Sequence, residues 1–340
     1  MDDLIINSGY ELERQWKEYL GLTSFEDLNN MYRDGWTKEL IMVCEAMHDR
    51  RMVEITDHIK NSGARLILLS GPSSSGKTTT AMKLCIHLCA VGLRPAYLGI
   101  DDYYKNRDDI PVGPDGLRDF ESLSAIDMEL FNDQVQRILD GETVDVPSFD
   151  FISGKKVFGK RKMRAEPGHP IVIEGILALN PEFYEQLPEE KLFRIYTCPL
   201  SCLRTKDGNR IPKAEIRKIR RLVRDHAKRG WGLEQTFEMW PKVRDGEVGN
   251  IFPYSKMADE VFNSSQPYEL SVLKKRALPL LVTEPGSKFE AEAVKENGNW
   301  AAPVSPDTDG SSSTKTDTHT TISMQHPLSD PVPSSIHRDS

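Results

Sequence analysis

One string constrains this chain more than any other. Gly71-Pro72-Ser73-Ser74-Ser75-Gly76-Lys77-Thr78 follows an apolar run, Arg65-Leu66-Ile67-Leu68-Leu69-Ser70, and precedes a stretch with helical patterning. It fits the pattern G-x-x-x-x-G-K-[ST], which arises by chance in roughly one chain per hundred of this length. The glycines allow a tight turn in which successive backbone N–H groups converge on an anion. The helix that follows adds the positive end of its dipole. In such a loop Lys77 can reach the β- and γ-phosphates of a nucleotide, and the Thr78 hydroxyl suits Mg²⁺. A mere serine-rich turn has no need of a strand before it and a helix after it. The candidate phosphate-binding residues are therefore Gly71, Pro72, Ser73, Ser74, Ser75, Gly76, Lys77 and Thr78, with Thr79 beside them.

The surroundings of the loop imply a fold. From Arg65 to about Leu281, short apolar runs (65–70, the segment ending at Ile100, 171–173, 193–196) alternate with helical segments at 77–91, 125–140 and 213–229. That alternation predicts an α/β fold of the P-loop NTPase type: a doubly wound, mostly parallel sheet with helices on both faces. Residues 143–164 are patterned like a hairpin that would wall a ligand pocket. Residues 1–62 read as a helical extension, with apolar positions Leu40, Ile41, Cys44, Met47, Val53, Ile55 and Ile59 and a break near Arg50. Residues 63–284 would form the nucleotide-binding domain. Residues 285–340, rich in Ser, Thr, Asp and Pro, are expected to be a disordered tail, because they cannot bury enough apolar surface to offset their ordering entropy.

Charge and composition exclude several classes. A net charge of −8 argues against bulk nucleic-acid binding, which needs a basic footprint. The start, MDDLIINSGYELERQW, lacks the positive residues and apolar core of a secretion signal, and no apolar run approaches the roughly 18 residues of a membrane span. Five cysteines suggest reduced thiols. The expectation is a cytoplasmic protein with small-molecule partners, neither nucleic-acid- nor membrane-bound, and with homo-oligomerisation left open. Cys85 with Cys89 and Cys198 with Cys202 read as core thiols rather than a zinc site, Phe237 and Trp240 as packing residues, and His226 as an exposed or capping side chain.

A phosphate loop serves GTPases, motor ATPases and small-molecule kinases alike. No guanine-reading Asn-Lys-x-Asp string is present; Thr205-Lys206-Asp207-Gly208 has the wrong spacing. The second strand ends in Gly99-Ile100-Asp101-Asp102-Tyr103-Tyr104. In open α/β sheets ligands lie beyond the carboxyl ends of the strands, so a carboxylate there could accept a hydroxyl proton beside the γ-phosphate. Ile171-Val172-Ile173-Glu174 places a second carboxylate at a strand end, where Mg²⁺ or its water is commonly held. Between Lys213 and Arg229, Arg220, Arg221, Arg224 and Lys228 fall in one arc of a helix, a cationic stripe able to close over a nucleotide. The alternatives for that stripe are a solvated helix face or RNA binding.

Taken together, these residues resemble the uridine kinase family of the phosphoribulokinase/uridine kinase group. The likeness rests on the phosphate loop, Asp101-Asp102-Tyr103-Tyr104, Phe120-Glu121-Ser122-Leu123-Ser124-Ala125-Ile126-Asp127, Val146-Pro147-Ser148-Phe149-Asp150-Phe151, Ile173-Glu174-Gly175 and Arg220-Arg221-Leu222-Val223-Arg224-Asp225. It is greatest to a bacterial-type subgroup whose kinase follows a threonyl-tRNA-synthetase-like module, through the strings at 238–247 and 250–254; that module has no counterpart in this sequence. The resemblance implies ATP as donor, Mg²⁺, and a nucleoside acceptor, uridine or cytidine, phosphorylated at its 5′-hydroxyl in pyrimidine salvage. It implies Asp101, Lys77 and Arg224 as catalytic residues, Asp101, Tyr104, Glu121, Phe149 and Arg221 as acceptor contacts, Arg224 and Arg229 on the phosphates, and Thr78, Asp101 and Glu174 around the metal. Phe149, Gly154, Trp231 and Met239 stand where well-studied uridine-cytidine kinases carry tyrosine, histidine, arginine and glutamine, so the base pocket departs from the family. Another nucleoside, a phosphosugar, or a non-catalytic nucleotide-binding role are the alternatives.

Overall fold

Every residue from Leu66 to Ser70 is buried, and these residues form the central strand β1. Alternate side chains of β1 enter opposite cores, Leu66 and Leu68 one, Ile67 and Leu69 the other. This is why the run is continuously apolar rather than alternating. The computed structural model describes residues 4–113, 116, 118–201 and 203–282; the tail expected over 285–340 and Cys202 lie outside them.

Three helices precede β1: α1 (Leu4–Tyr19), α2 (Phe25–Arg33) and α3 (Thr37–Ser62). After β1 come α4 (Lys77–Ala90), β2 (Ala96–Gly99), α5 (Met128–Leu139), the hairpin β3 (Val144–Asp150) and β4 (Lys155–Met163), and β5 (Ile171–Glu174). The chain continues through α6 (Pro181–Tyr184), β6 (Leu192–Cys198), α7 (Lys213–Arg229), α8 (Leu233–Asn250), β7 (Glu260–Asn263) and α9 (Glu269–Val282). Among the described residues the main sheet runs β2-β5-β1-β6-β7, every pair parallel, with β3 and β4 a separate antiparallel ribbon. The doubly wound P-loop NTPase architecture expected from the sequence is the one observed.

The break expected near Arg50 does not occur, for α3 runs unbroken from Thr37 to Ser62. Its buried face passes through Leu40, Cys44, Met52, Ile55 and Ile59, while Val53 and Ile41 are exposed. His48 fills the turn without an aliphatic side chain, bonding the Ser265 carbonyl at 3.2 Å and packing edge-on to Phe262. A polar residue on the core face thus mimics an interruption in the hydrophobic pattern. Met52, Ile55 and Ile59 pack with α4 and β1, so the second half of α3 covers the sheet. No helix among the described residues is long and apolar enough to cross a membrane.

Candidate active site

Strand order decides which chain segments meet. Glu174, the last residue of β5, lies in register with Leu69 of β1 on one side and Gly99 of β2 on the other. The loop at 71–76 leaves β1 and a short 3₁₀ turn, Ile100–Tyr103, leaves β2, at the same end of the sheet and roughly 10 Å apart across β5. Within the loop Ser74 (φ 59°) and Gly76 (φ 91°) are left-handed, the backbone form that turns successive N–H groups inward to make an anion-binding concavity. Lys77 opens α4, its Nζ donating to the Pro72 carbonyl at 3.3 Å.

A cavity of about 590 Å³ opens beside the loop, with Ser73, Lys77, Asp101, Tyr104, Glu121 and Arg224 in its wall. Phe149, Arg221 and Arg229 also line it, together with Trp231 and Met239. Gly71, Pro72, Ser74, Ser75, Gly76, Thr78, Thr79 and Glu174 are not in its wall. Burial lowers the affinity of the Lys77 ammonium for its proton, while Glu174, Asp101 and Glu121 oppose that loss. Burial likewise raises the Glu174 carboxyl, with Lys77 opposing. Glu174 Oε2 accepts from the Thr78 hydroxyl and from the Tyr97 hydroxyl, both at 3.1 Å.

The neighbouring carboxylates at 101 and 102 part company. Asp102 accepts from Arg161 at 3.1 Å and from the Phe149 N–H at 3.4 Å, which ties the 3₁₀ turn to the hairpin. Asp101 is exposed and faces the cavity. Tyr104, buried among Phe120, Phe149 and Phe151, donates to the Phe120 carbonyl at 2.9 Å, and its burial pushes the phenol well above its ordinary range. Glu121 Oε2 is buried with no hydrogen-bond partner among the described residues. Burial lifts its carboxyl to about 7, opposed chiefly by Arg221.

The arginine helix differs from its sequence reading in one respect. Arg220 does not face the cavity; it pairs with Glu269 and donates to the Ser264 hydroxyl at 3.1 Å and carbonyl at 2.9 Å. The stripe continues instead one turn earlier, at Arg217, which is 2 % exposed. Arg221 donates to the Ser73 hydroxyl at 2.8 Å. Asp225, at 0 % exposure, is shared by Arg221 (3.3 Å), Arg224 (2.9 Å) and Arg229 (3.4 Å). A carboxylate near the C-terminal end of a helix opposes the helix dipole, and these three cations hold it there. The Arg229 guanidinium lies over both Phe151 (5.2 Å) and Trp231 (5.5 Å), joining the end of α7 to the hairpin.

Two further findings were not anticipated from the sequence. A Cβ at Gly154 would come within 2.7 Å of Arg107 Nε, so the side chain of Arg107 occupies the space beside that glycine and reaches the cavity wall. The other is a buried ion pair between Arg217 and Glu247 behind the phosphate loop. The sequence signalled only the arginine, since Arg217, Arg221, Arg224 and Lys228 are spaced four, three and four apart. Of the residues set aside earlier, Phe237 and Trp240 are buried and His226 is exposed. Cys85 and Cys198 are buried, but Cys89 is exposed, correcting its reading as a core thiol. The helix carrying Cys85 buries one face only, and Cys89 lies off it.

This combination of sheet order, phosphate loop and strand-end carboxylates defines a class, the P-loop NTPases. Residues 66–204 match the model of the Phosphoribulokinase / Uridine kinase family, which bears out the resemblance read from the residues. A uridine kinase of Lactobacillus johnsonii is 29% identical over 175 residues, covering 52% of this chain and 74% of that protein. One from Halalkalibacterium halodurans is 26% identical over 230 residues, 67% of this chain and 97% of its own. Among solved structures, one described as a possible uridine kinase from Bacillus stearothermophilus is similar at a TM-score of 0.42 and 20% identity, covering 63% of this chain and 98% of that one. The arginines of α7 lie beyond the stretch that the family model matches.

Proposed function

We propose that this chain transfers the γ-phosphate of ATP to the 5′-hydroxyl of a nucleoside, uridine or cytidine, forming the monophosphate for pyrimidine salvage in the cytoplasm. The observation that carries the reading is that Lys77 and Asp101 line one cavity. Its volume of about 590 Å³ is in the range of small-molecule sites. Asp101 accepts the proton of the attacking hydroxyl. Lys77, Arg221, Arg224 and Arg229 balance the charge that spreads over the phosphoryl oxygens. Glu121, with an unpartnered buried oxygen, is suited to accept hydrogen bonds from ribose hydroxyls, and Tyr104 and Phe149 give the sugar and base an aromatic wall.

The donor set fits Mg²⁺. This ion keeps waters and phosphate oxygens and takes only one or two protein carboxylates. The Thr78 hydroxyl, Glu174 and Asp101 supply hard oxygens, and no larger acidic cluster is present among the described residues. When bound, the ion would neutralise phosphate charge.

A second reading has its own support. Arg107, Arg118 and Lys242 line the same cavity, and Arg107 stands beside Gly154, where uridine-cytidine kinases place a base-reading histidine. An acceptor that is itself anionic, such as a phosphosugar, would suit these cations. An ADP-release assay over a panel of nucleosides and phosphosugars separates the two. Turnover with uridine or cytidine supports the first reading, and inactivity with every nucleoside rejects it.

A further inference from the structure

Helix α8 touches both halves of the cavity, and the string on it, Arg244-Asp245-Gly246-Glu247, has no part in the chemistry above. Val243, Gly246, Glu247 and Asn250 share one face of the helix. Val243 lines the cavity. Glu247 is fully buried, and its Oε1 accepts the backbone N–H of Ser73, in the phosphate loop, at 3.2 Å. Arg217 grips the same carboxylate through both of its terminal nitrogens and donates to the Ser73 carbonyl at 3.0 Å. The Ser73 residue is thus held at both its N–H and its C=O by one ion pair.

On the same face the helix also meets the acceptor side. A Cβ at Gly246 would come within 2.6 Å of Glu121 Cβ, so the helix lies directly against that residue. Asn250 Nδ2 donates to the Glu121 carbonyl at 2.9 Å. A buried ion pair is weak evidence for stability, because desolvation offsets most of its attraction; its best-attested use is to fix one arrangement over others. Here the arrangement fixed is the position of Ser73 relative to Glu121.

We propose that α8 is a brace that sets the phosphate loop and the Glu121 segment in register, with Glu247 and Asn250 as positioning residues, so that nucleotide at the loop orders the acceptor segment. The role assigned to Glu121 rests on the kinase reading, but the test needs no acceptor. Amide hydrogen exchange is followed in the full chain with and without Mg²⁺ and the non-hydrolysable analogue AMP-PNP. In the wild type the analogue slows exchange both in 71–78 and in 119–126. In Asn250→Ala the analogue protects 71–78 as before, with its Kd within about twofold, while protection of 119–126 is lost. Glu247→Gln keeps the shape but loses the charge of the pair, and weakens AMP-PNP about ten- to a hundredfold, the worth of one charged hydrogen bond. Asn250→Leu, which keeps much the same shape and removes the donor without adding charge, is the second variant should the alanine form not fold.

Equal protection of 119–126 in the wild type and in the folded Asn250 variant would overturn the brace. So would a wild type whose loop is protected by AMP-PNP while 119–126 is not. Failure of the nucleoside panel would sink the acceptor assignment yet leave the exchange result standing, so the two are told apart.

Discussion

The two sides of the cavity are built in opposite ways. The side proposed for phosphate rests on one contiguous stretch, 71–78, of which Ser73 and Lys77 line the cavity and whose backbone amides would bind the anion. They are held in place from behind by Arg217, Arg221 and Glu247. The side proposed for the acceptor is assembled from side chains of separated segments, among them Tyr104, Arg118, Phe149, Trp231 and Met239. Backbone-built recognition depends on loop shape and reads phosphate, which all nucleotides share. Side-chain-built recognition depends on identity, and can change its acceptor without disturbing the donor site. Under the proposed kinase function, the class of reaction would lie with the first region and the choice of acceptor with the second.

That contrast can be broken or sharpened by substitution. The largest effect belongs to the phosphate side. On the proposed mechanism Lys77→Ala removes a charge that balances the transferred group and is expected to lower kcat by about 10²–10³-fold, with thermal unfolding showing an intact fold. Asp225→Asn should follow, since it leaves Arg221, Arg224 and Arg229 without their shared counter-charge. Breaking such a buried cluster costs about 3 kcal/mol of stability. Denaturant unfolding and a loss of kcat should both register it, and an unchanged chevron with full activity would show the cluster to be inert.

Glu121 provides a pH test on the acceptor side. Its carboxyl is raised by burial from 4.5 to about 7. A raised acid favours the folded state below the ordinary carboxylate range and loses that contribution as pH rises through the folded value. The ionised form is the better acceptor of ribose hydroxyls, so acceptor KM should fall as pH rises through about 7. Glu121→Gln should flatten that dependence and raise KM about tenfold, roughly one charged hydrogen bond. The smallest expected effect is at Trp231→Ala. Loss of one aromatic wall should raise acceptor KM about three- to tenfold and leave nucleotide affinity unchanged.

The same contrast explains what could be read from the sequence. The loop was legible because its residues are consecutive and its pattern encodes one backbone shape. Asp101 and Glu174 were legible because strand ends in a parallel sheet share one edge, so that position alone implies convergence. Arg217 and Glu247 escaped notice because the two are 30 residues apart and meet only once α7 and α8 pack. Arg107 escaped because its place in the wall depends on the missing side chain at Gly154, a steric fact with no periodic signature. The continuity of α3 was hidden by His48, a polar residue doing the packing of an aliphatic one.

The most direct test is on Asp101, where the two regions meet. Asp101→Asn keeps the shape of the side chain and removes its capacity to take a proton. With the best acceptor of the panel, kcat should fall by about 10²–10⁴-fold, the usual worth of a positioned base, while the calorimetric Kd for ATP measured without Mg²⁺ stays within about threefold. A variant that binds ATP and turns over at the wild-type rate would contradict the shared-cavity mechanism.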